Sequence, residues 1–133
     1  GPKQGRLNDL WKFNVNACRQ KDAFQIVNTL GQCPSQRMKH AGTVYKSFMF
    51  IFGGCNDQNY ENNNDKAKDA AQAFNTLYII NLNEHDMDNN DPPLKWYSIN
   101  INGLPTRIRH TLHVLNAVET NDYFEISLVV VCG

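Results

Sequence analysis

An internal repeat is the feature of this 133-residue sequence that most constrains its fold. The segment LNDLWKFNV at 7–15 returns as FNTLYIINL at 74–82, with the same asparagine, leucine, aromatic and apolar positions. A Gly, Pro, Arg-x-x-His order at 31–40 returns at 103–110, and the run FIFGG at 50–54 is matched by VVVCG at 129–133. Because three landmarks recur in the same order at spacings of 67, 70 and 79 residues, the sequence predicts consecutive copies of one structural unit.

Apolar patterning predicts that each unit is built from β-strands. Phe48–Phe52 is apolar at every position and Leu128–Val131 is similar, so both faces of these strands should be covered, as in a sheet between two others. Tyr45-Lys46-Ser47 predicts a tight hairpin, and its counterpart near 119–122 is longer. The composition of Asp65–Ala73 suits one or two helical turns inside an insertion. The predicted strands span about 8–15, 23–29, 40–46, 48–53, 75–82, 95–101, 110–118 and 122–132.

Charge and hydropathy argue against two classes of partner. The 13 basic and 13 acidic residues balance, so no field or basic stripe recruits nucleic acid or an anionic membrane surface. No apolar run approaches the roughly 20 residues of a membrane-spanning helix.

The four cysteines are far apart in the sequence, at Cys18, Cys33, Cys55 and Cys132, and the last two are next to strand-ending glycines. We expect these two to be buried free thiols, and the cysteine pattern favours an intracellular protein, cytoplasmic or nuclear.

These features together resemble the Kelch repeat. Its landmarks are an apolar run ending in two glycines, an aromatic residue, a tryptophan, and an Arg-x-x-His that opens the next unit. Phe24 departs from the pattern, standing where a tryptophan is expected, but keeps a large apolar side chain. The resemblance covers the chain except for loops 55–73 and 83–93. The matching residues are Gly53, Gly54, Tyr78, Trp96, Arg107 and His110, with Trp11, Arg37 and His40 in the preceding unit and Gly133 in the following one.

The resemblance implies an all-β fold, a partial Kelch-type β-propeller with antiparallel four-stranded blades. Residues 1–30 would supply the last strands of one blade, 34–101 a complete blade, and 105–133 the first strands of the next. Two half-blades leave strand edges with unpaired backbone groups. We therefore expect either a longer protein, since propellers close with about four to eight blades, or self-association through the open blade edges.

Metal and cofactor sites are not expected. His110 and His113 are three apart on a predicted strand and should point to opposite faces. His40 and His110 are equivalent in the repeat, which favours a structural role for both. The acidic segment 85–91 has oxygen ligands at alternating positions, but it lacks the glycine and glutamate of an EF-hand, so a solvated insertion is the simpler interpretation.

As to function, the resemblance implies a protein–protein interaction scaffold with no catalytic residues in this segment. The partner would be another protein, bound through the propeller loops, and Tyr60 in the loop 55–73 is a candidate contact. Two alternatives stay open. The chain could be the targeting or regulatory domain of a larger enzyme, such as a protein phosphatase or a ubiquitin-ligase adaptor. It could also belong to a Kelch-fold enzyme or small-molecule binder, whose polar side chains would converge on the central channel.

Overall fold

A computed structural model describes residues 7–17, 19–20, 23–56, 73–84 and 93–132. Within these ranges the chain is all-β, with two short 3₁₀ turns and no α-helix. The stretch Asp65–Ala73, the acidic segment 85–91, Tyr60 and Gly133 lie wholly or almost wholly outside the described residues. The strands are β1 (Trp11–Phe13), β2 (Phe24–Ile26), β3 (Thr29–Gly31), β4 (Ala41–Tyr45), β5 (Phe48–Phe52), β6 (Thr76–Asn81), β7 (Leu94–Asn100), β8 (Thr111–Glu119) and β9 (Phe124–Val131).

The strands form three sheets. β1 and β2 make an antiparallel pair, β8 and β9 make another, and five strands form the central sheet in the order β3-β7-β6-β5-β4. Strands β4 to β7 are joined in sequence order by antiparallel pairing, as the repeat predicted for one unit. The all-β prediction is therefore confirmed, and each predicted strand coincides with an observed one.

The central sheet is covered on both faces, as the apolar run of β5 predicted. One face packs against the β1–β2 side through a core of Val27, Ile80, Leu94 and Trp96. The other packs against β8–β9 through Ala41, Phe50, Phe52 and Leu112. Alternate residues of β5 contribute to the two cores, Met49 and Ile51 to the first and Phe50 and Phe52 to the second. A strand with a core on each side has no position where a polar side chain would be solvated, which explains its composition.

Strand β3 was not anticipated. It pairs in parallel with β7, with Gly31 opposite Trp96, and makes the central sheet mixed and five-stranded. Gly31 has φ 80°, and a Cβ there would lie 2.6 Å from the carbonyl oxygen of Trp96. The position therefore needs glycine to let the backbone approach.

Both predicted hairpins are present. Lys46 and Ser47 connect β4 to β5 with Tyr45 opposite Phe48. The longer connection between β8 and β9 is closed by Thr120, whose backbone N–H donates to the Tyr123 carbonyl at 2.9 Å. No helix in the described part of the chain has the length and apolar character needed to cross a bilayer.

The cysteines match expectation only in part. Cys55 is buried, as expected, but Cys132 is exposed. The expectation of burial was wrong for Cys132 because nothing in the described structure packs beyond the outer edge of β9.

Candidate functional site

The repeated landmarks meet where one unit joins the next, at the end of β5. Arg37 lies buried there and donates from Nη1 to the Gly53 carbonyl at 3.0 Å and from Nε to the Ser35 carbonyl at 3.1 Å. Its guanidinium also lies over the rings of Phe74 and Tyr78, 4.3 and 4.8 Å from their centroids. Desolvation by burial lowers the pKa of Arg37, partly offset by Tyr78. A planar cation with several N–H donors fits this position, because a lysine could not donate to both carbonyls and also stack on the aromatic rings.

The second unit reproduces this contact. Arg107 donates from Nη1 to the Cys132 carbonyl at 3.4 Å, and Cys132 is the repeat equivalent of Gly53. The backbone conformations match as well, with φ 73° at Gly53 and 60° at Cys132. The agreement shows that the sequence repeat is also a repeat of local structure. Arg107 differs in one respect, since its Nε is buried without a hydrogen-bond partner among the described residues.

Lys39 and Arg109, one residue before the two repeat histidines, also share a positive φ, 59° and 54°. The backbone N–H of Arg109 donates to the Lys39 carbonyl at 3.0 Å, and that of Gly54 donates to the Arg107 carbonyl at 3.0 Å. These two bonds tie consecutive units together. Their role was missed from sequence, although the shared Arg-x-x-His spacing marked the positions.

His110 sits directly on the glycine turn. Its Nε2 lies 2.9 Å from the Phe52 carbonyl oxygen, and its ring meets the Phe52 ring edge to face. Since a carbonyl only accepts, Nε2 carries the proton. The Nδ1 atom is buried, and no residue in the described part of the chain forms a hydrogen bond with it. His40, the equivalent residue of the first unit, is exposed beside Gly54.

The stability of the chain should fall as the pH drops below about 6.5, the ordinary pKa of histidine. Burial lowers the pKa of His110 and the charge of Arg107 adds to this, while the bond to Phe52 opposes it. The unfolded chain therefore takes up a proton before the folded one does. The contribution is present above pH 6.5 and is lost as the pH falls to the folded-state pKa.

Urea unfolding followed between pH 5 and 8 measures this loss. A His110→Gln variant removes one titrating group and should flatten the profile. The pKa of His40, whose ring is desolvated only in part, is lowered as well, by that desolvation and then by the charges of Arg37 and His110. A remaining slope of the same sign is therefore assigned with His40→Gln. An unchanged profile in His110→Gln would contradict the assignment.

At the other end of the strands, away from Gly53, a polar cluster joins the β4–β5 turn to the end of β8. Glu119 at the end of β8 accepts a hydrogen bond from the Tyr45 hydroxyl at 3.1 Å and forms an ion pair with Lys46. The bonds from Lys46 and Tyr45 lower the pKa of Glu119, and the carboxylate raises that of Lys46. All three side chains are solvent-accessible, so the cluster aligns the β4–β5 turn with β8 and adds little stability. No pattern in the sequence predicted this contact.

An apolar groove opens between the β1–β2 hairpin and the central sheet. Its volume is about 380 Å³, and most of the side chains that line it carry no polar group. A smaller groove of about 90 Å³ lies beside Arg37 and His40 and is lined by both polar and apolar residues. The larger groove is lined by Leu10, Trp11, Lys12, Val27, Met49, Leu82 and Leu94.

Two of the remaining landmarks, Trp96 and Gly54, lie in closely packed surroundings. Trp96 is buried in the first core and meets Tyr78 edge to face, with ring centroids 6.4 Å apart. Gly54 has φ 89°, and a Cβ there would lie 2.6 Å from the Met38 carbonyl oxygen. Trp11 is exposed. Across the described ranges, no three His, Cys, Asp or Glu side chains are grouped as a metal site.

Comparison with known proteins gives one distant relative. No protein-family profile matches the chain. The chain is 27% identical over 112 residues to Tip elongation aberrant protein 1 of Schizosaccharomyces pombe, a Kelch-repeat protein. The match covers 83% of this chain but only 8% of that protein. The chain is therefore all-β, built from a structural repeat, and distantly similar to a Kelch-repeat protein.

Proposed function

We propose that the chain is part of a Kelch-type β-propeller that acts as a protein-binding scaffold, without catalysis in this segment. The apolar groove between the β1–β2 hairpin and the central sheet is the observation that carries the proposal. A groove lined by aliphatic side chains on paired strands can bind the apolar side chains of a protein partner. The distant similarity to a Kelch-repeat protein supports the same conclusion.

The walls of the groove are held in place by a backbone hydrogen bond and by packing in the first core. Leu82 and Leu94 stand at the two ends of the β6–β7 connection, and the Leu82 N–H donates to the Ser47 carbonyl at 2.8 Å. The floor is supplied by Val27 and Met49 from the first core.

The groove fits a protein side chain better than a small polar metabolite. Small-molecule sites combine an apolar lining with several converging polar groups that fix orientation. Lys12 and the indole N–H of Trp11 are the polar side-chain groups of the described lining, and that N–H already donates to Asp9. The scaffold proposal holds equally if the chain is the targeting domain of a larger enzyme, which the flanking gene sequence would decide.

A photo-crosslinking experiment tests the proposal. Benzoyl-phenylalanine would replace Asn83, an exposed residue next to the groove. The control places it at Asn121, an exposed residue in the β8–β9 loop on the other hairpin. Both variants would be expressed within the full-length protein, in cells of the organism that the sequence comes from. After irradiation, the crosslinked adducts would be identified by mass spectrometry.

We expect a reproducible adduct to a different protein from position 83 and a much weaker one from position 121. Trp11→Glu, which places a charge on an exposed wall of the groove, should abolish the adduct while far-UV circular dichroism shows an intact fold. Equal labelling from both positions, or no protein adduct at position 83, would count against a groove-centred scaffold.

A further inference from the structure

We propose that the tip of the β8–β9 hairpin, residues 117–126, forms a second protein-binding site with the β4–β5 turn, and that this site takes an arginine side chain from an extended segment of a partner protein. The hairpin is longer than its repeat equivalent. Both begin at equivalent pairs, Ala41 with Phe52 and Thr111 with Val131, but β4 and β5 share five pairs whereas β8 and β9 share eight. Three extra pairs carry the tip about 10 Å further.

The extra length lies beyond the reach of a flanking unit built like the central one. β6 pairs with β5 from Phe48 to Phe52, the five positions that β5 also shares with β4. The equivalents of these positions on β9 run from Ser127 to Val131, so a following strand of the same length ends before residues 124–126. On its other side the tip meets the β4–β5 turn of the central sheet. The exposure of the tip is therefore a property of the hairpin itself.

Two aromatic rings meet in the cleft between the tip and the turn. Phe124 at the start of β9 and Phe48 at the start of β5 lie edge to face, with ring centroids 5.5 Å apart. Phe124 is 48% exposed, and Tyr123 beside it in the chain is 57% exposed. In an edge-to-face pair, one ring keeps its faces free of the other ring. The cleft therefore offers an aromatic face, the surface on which a guanidinium stacks.

Glu119 places a carboxylate in the same cleft. It lies opposite Phe124 in the hairpin and therefore on the same face. The Tyr45 hydroxyl and the Lys46 ammonium both contact Oε1, which leaves Oε2 for a ligand within the described structure. An arginine suits this combination, because a planar guanidinium can donate to an oxygen while it stacks on a ring. Arg37 binds in this way within the chain, 4.3 Å from a ring centroid and bonded to a carbonyl oxygen.

The charge around the cleft favours a basic occupant. The tip carries Glu119, Asp122 and Glu125 and no basic residue, and the adjoining turn contributes Lys46. Three carboxylates against one ammonium attract a cationic segment and repel an anionic one. The occupant is therefore a basic segment of a protein and not an acidic peptide.

Fluorescence anisotropy on the full-length protein tests the proposal. The probe is a fluorescein-labelled pentapeptide with two arginines among glycines, and lysine or citrulline replaces the arginines in the comparison peptides. We expect saturable binding of the arginine peptide, weaker binding of the lysine peptide and none of the citrulline peptide. Added salt should weaken the binding, because both charged partners are exposed to solvent. Absence of saturable binding of the arginine peptide at millimolar concentration overturns the proposal.

Variants of the hairpin locate the binding. Glu119→Gln should weaken it about fivefold. Phe124→Leu, which keeps an apolar contact with Phe48 but removes the aromatic face, should weaken it about two- to fivefold. Glu125→Gln is the matched control, because it removes the same charge from the opposite face of the hairpin and should have a smaller effect. Equal losses in the two glutamine variants would overturn the proposal, since they indicate a general attraction to an acidic hairpin.

The arginine site is separate from the apolar groove, and the two can fail independently. It is small and should bind weakly, so it accounts only for the weak labelling expected from Asn121 in the crosslinking experiment. Trp11→Glu, which charges the groove, should leave binding of the arginine peptide unchanged. Loss of peptide binding in Trp11→Glu would overturn the proposal, because it would place the arginine contact in the groove.

Discussion

Replacing Gly53 with alanine should destabilise the chain by about 3 kcal/mol. The residue has φ 73°, where an L-residue costs about 1–2 kcal/mol. A Cβ there would also lie 2.8 Å from the Arg107 carbonyl oxygen and closer still to Cε1 of His110. His110 is buried and bonded to Phe52, so the ring moves only by giving up that bond, and overpacking of this kind costs about 1–3 kcal/mol. Urea unfolding at low protein concentration measures the change.

Gly103→Ala is the matched control. Gly103 has φ 82°, nearly the same conformation, but a Cβ there meets nothing within 4 Å. It should therefore show the backbone cost alone, about 1–2 kcal/mol. If the two variants lost equal stability, the close approach of the second unit to Gly53 would not be a determinant of folding.

The sequence predicted most of the fold because its strongest signals come from burial. The unbroken apolar run of β5 requires a core on each face, and both cores are present. The position of Phe24 was also predicted, since its pairing with Phe13 repeats that of Trp96 with Ile80. Periodicity and repeat spacing are local properties of the chain, so they can be found without knowing the fold.

Contacts that depend on distant segments could not be predicted. Strand β3 is only three residues long and looked like the end of β2, and its identity comes from pairing with β7. Phe74 stacks on Arg37 only because the chain returns from Cys55 through Ala73 to the start of β6. Strand propensity depends on such neighbours rather than on the residues alone. The exposure of Cys132 has the same origin, since its surroundings are set by what packs on β9.

The repeat also explains why the same residue type behaves differently in the two units. Arg37 stacks on its ring partners and donates to the Gly53 carbonyl at 3.0 Å, whereas the equivalent bond from Arg107 to the Cys132 carbonyl is 3.4 Å long. His110 is buried on the preceding unit, whereas His40 is exposed. In each pair the two side chains differ in the packing around them and not in residue type. Equivalent positions therefore provide internal controls for mutagenesis.

Trp96→Ala should be among the most destabilising single substitutions in the chain, with a loss of about 3–5 kcal/mol. The indole is 4% exposed and packs in one core with Val27, Ile80 and Leu94. Its removal leaves a cavity between the β1–β2 hairpin and the central sheet that the fixed strands cannot close. Because small domains are stable by only about 5–15 kcal/mol, much of the total would be lost. Chemical unfolding monitored by far-UV circular dichroism measures it.

Phe24→Ala is the control at the equivalent position of the repeat. Phe24 is 64% exposed, so in the monomer its removal should cost about 1 kcal/mol or less. The comparison must be made at a protein concentration where light scattering shows a monomer. The ratio of the two losses in unfolding free energy then measures how much burial by the neighbouring sheet contributes at this position of the repeat. Equal losses would mean that Trp96 acts through its own strand pairing, because that pairing is the one feature the two positions share in the monomer.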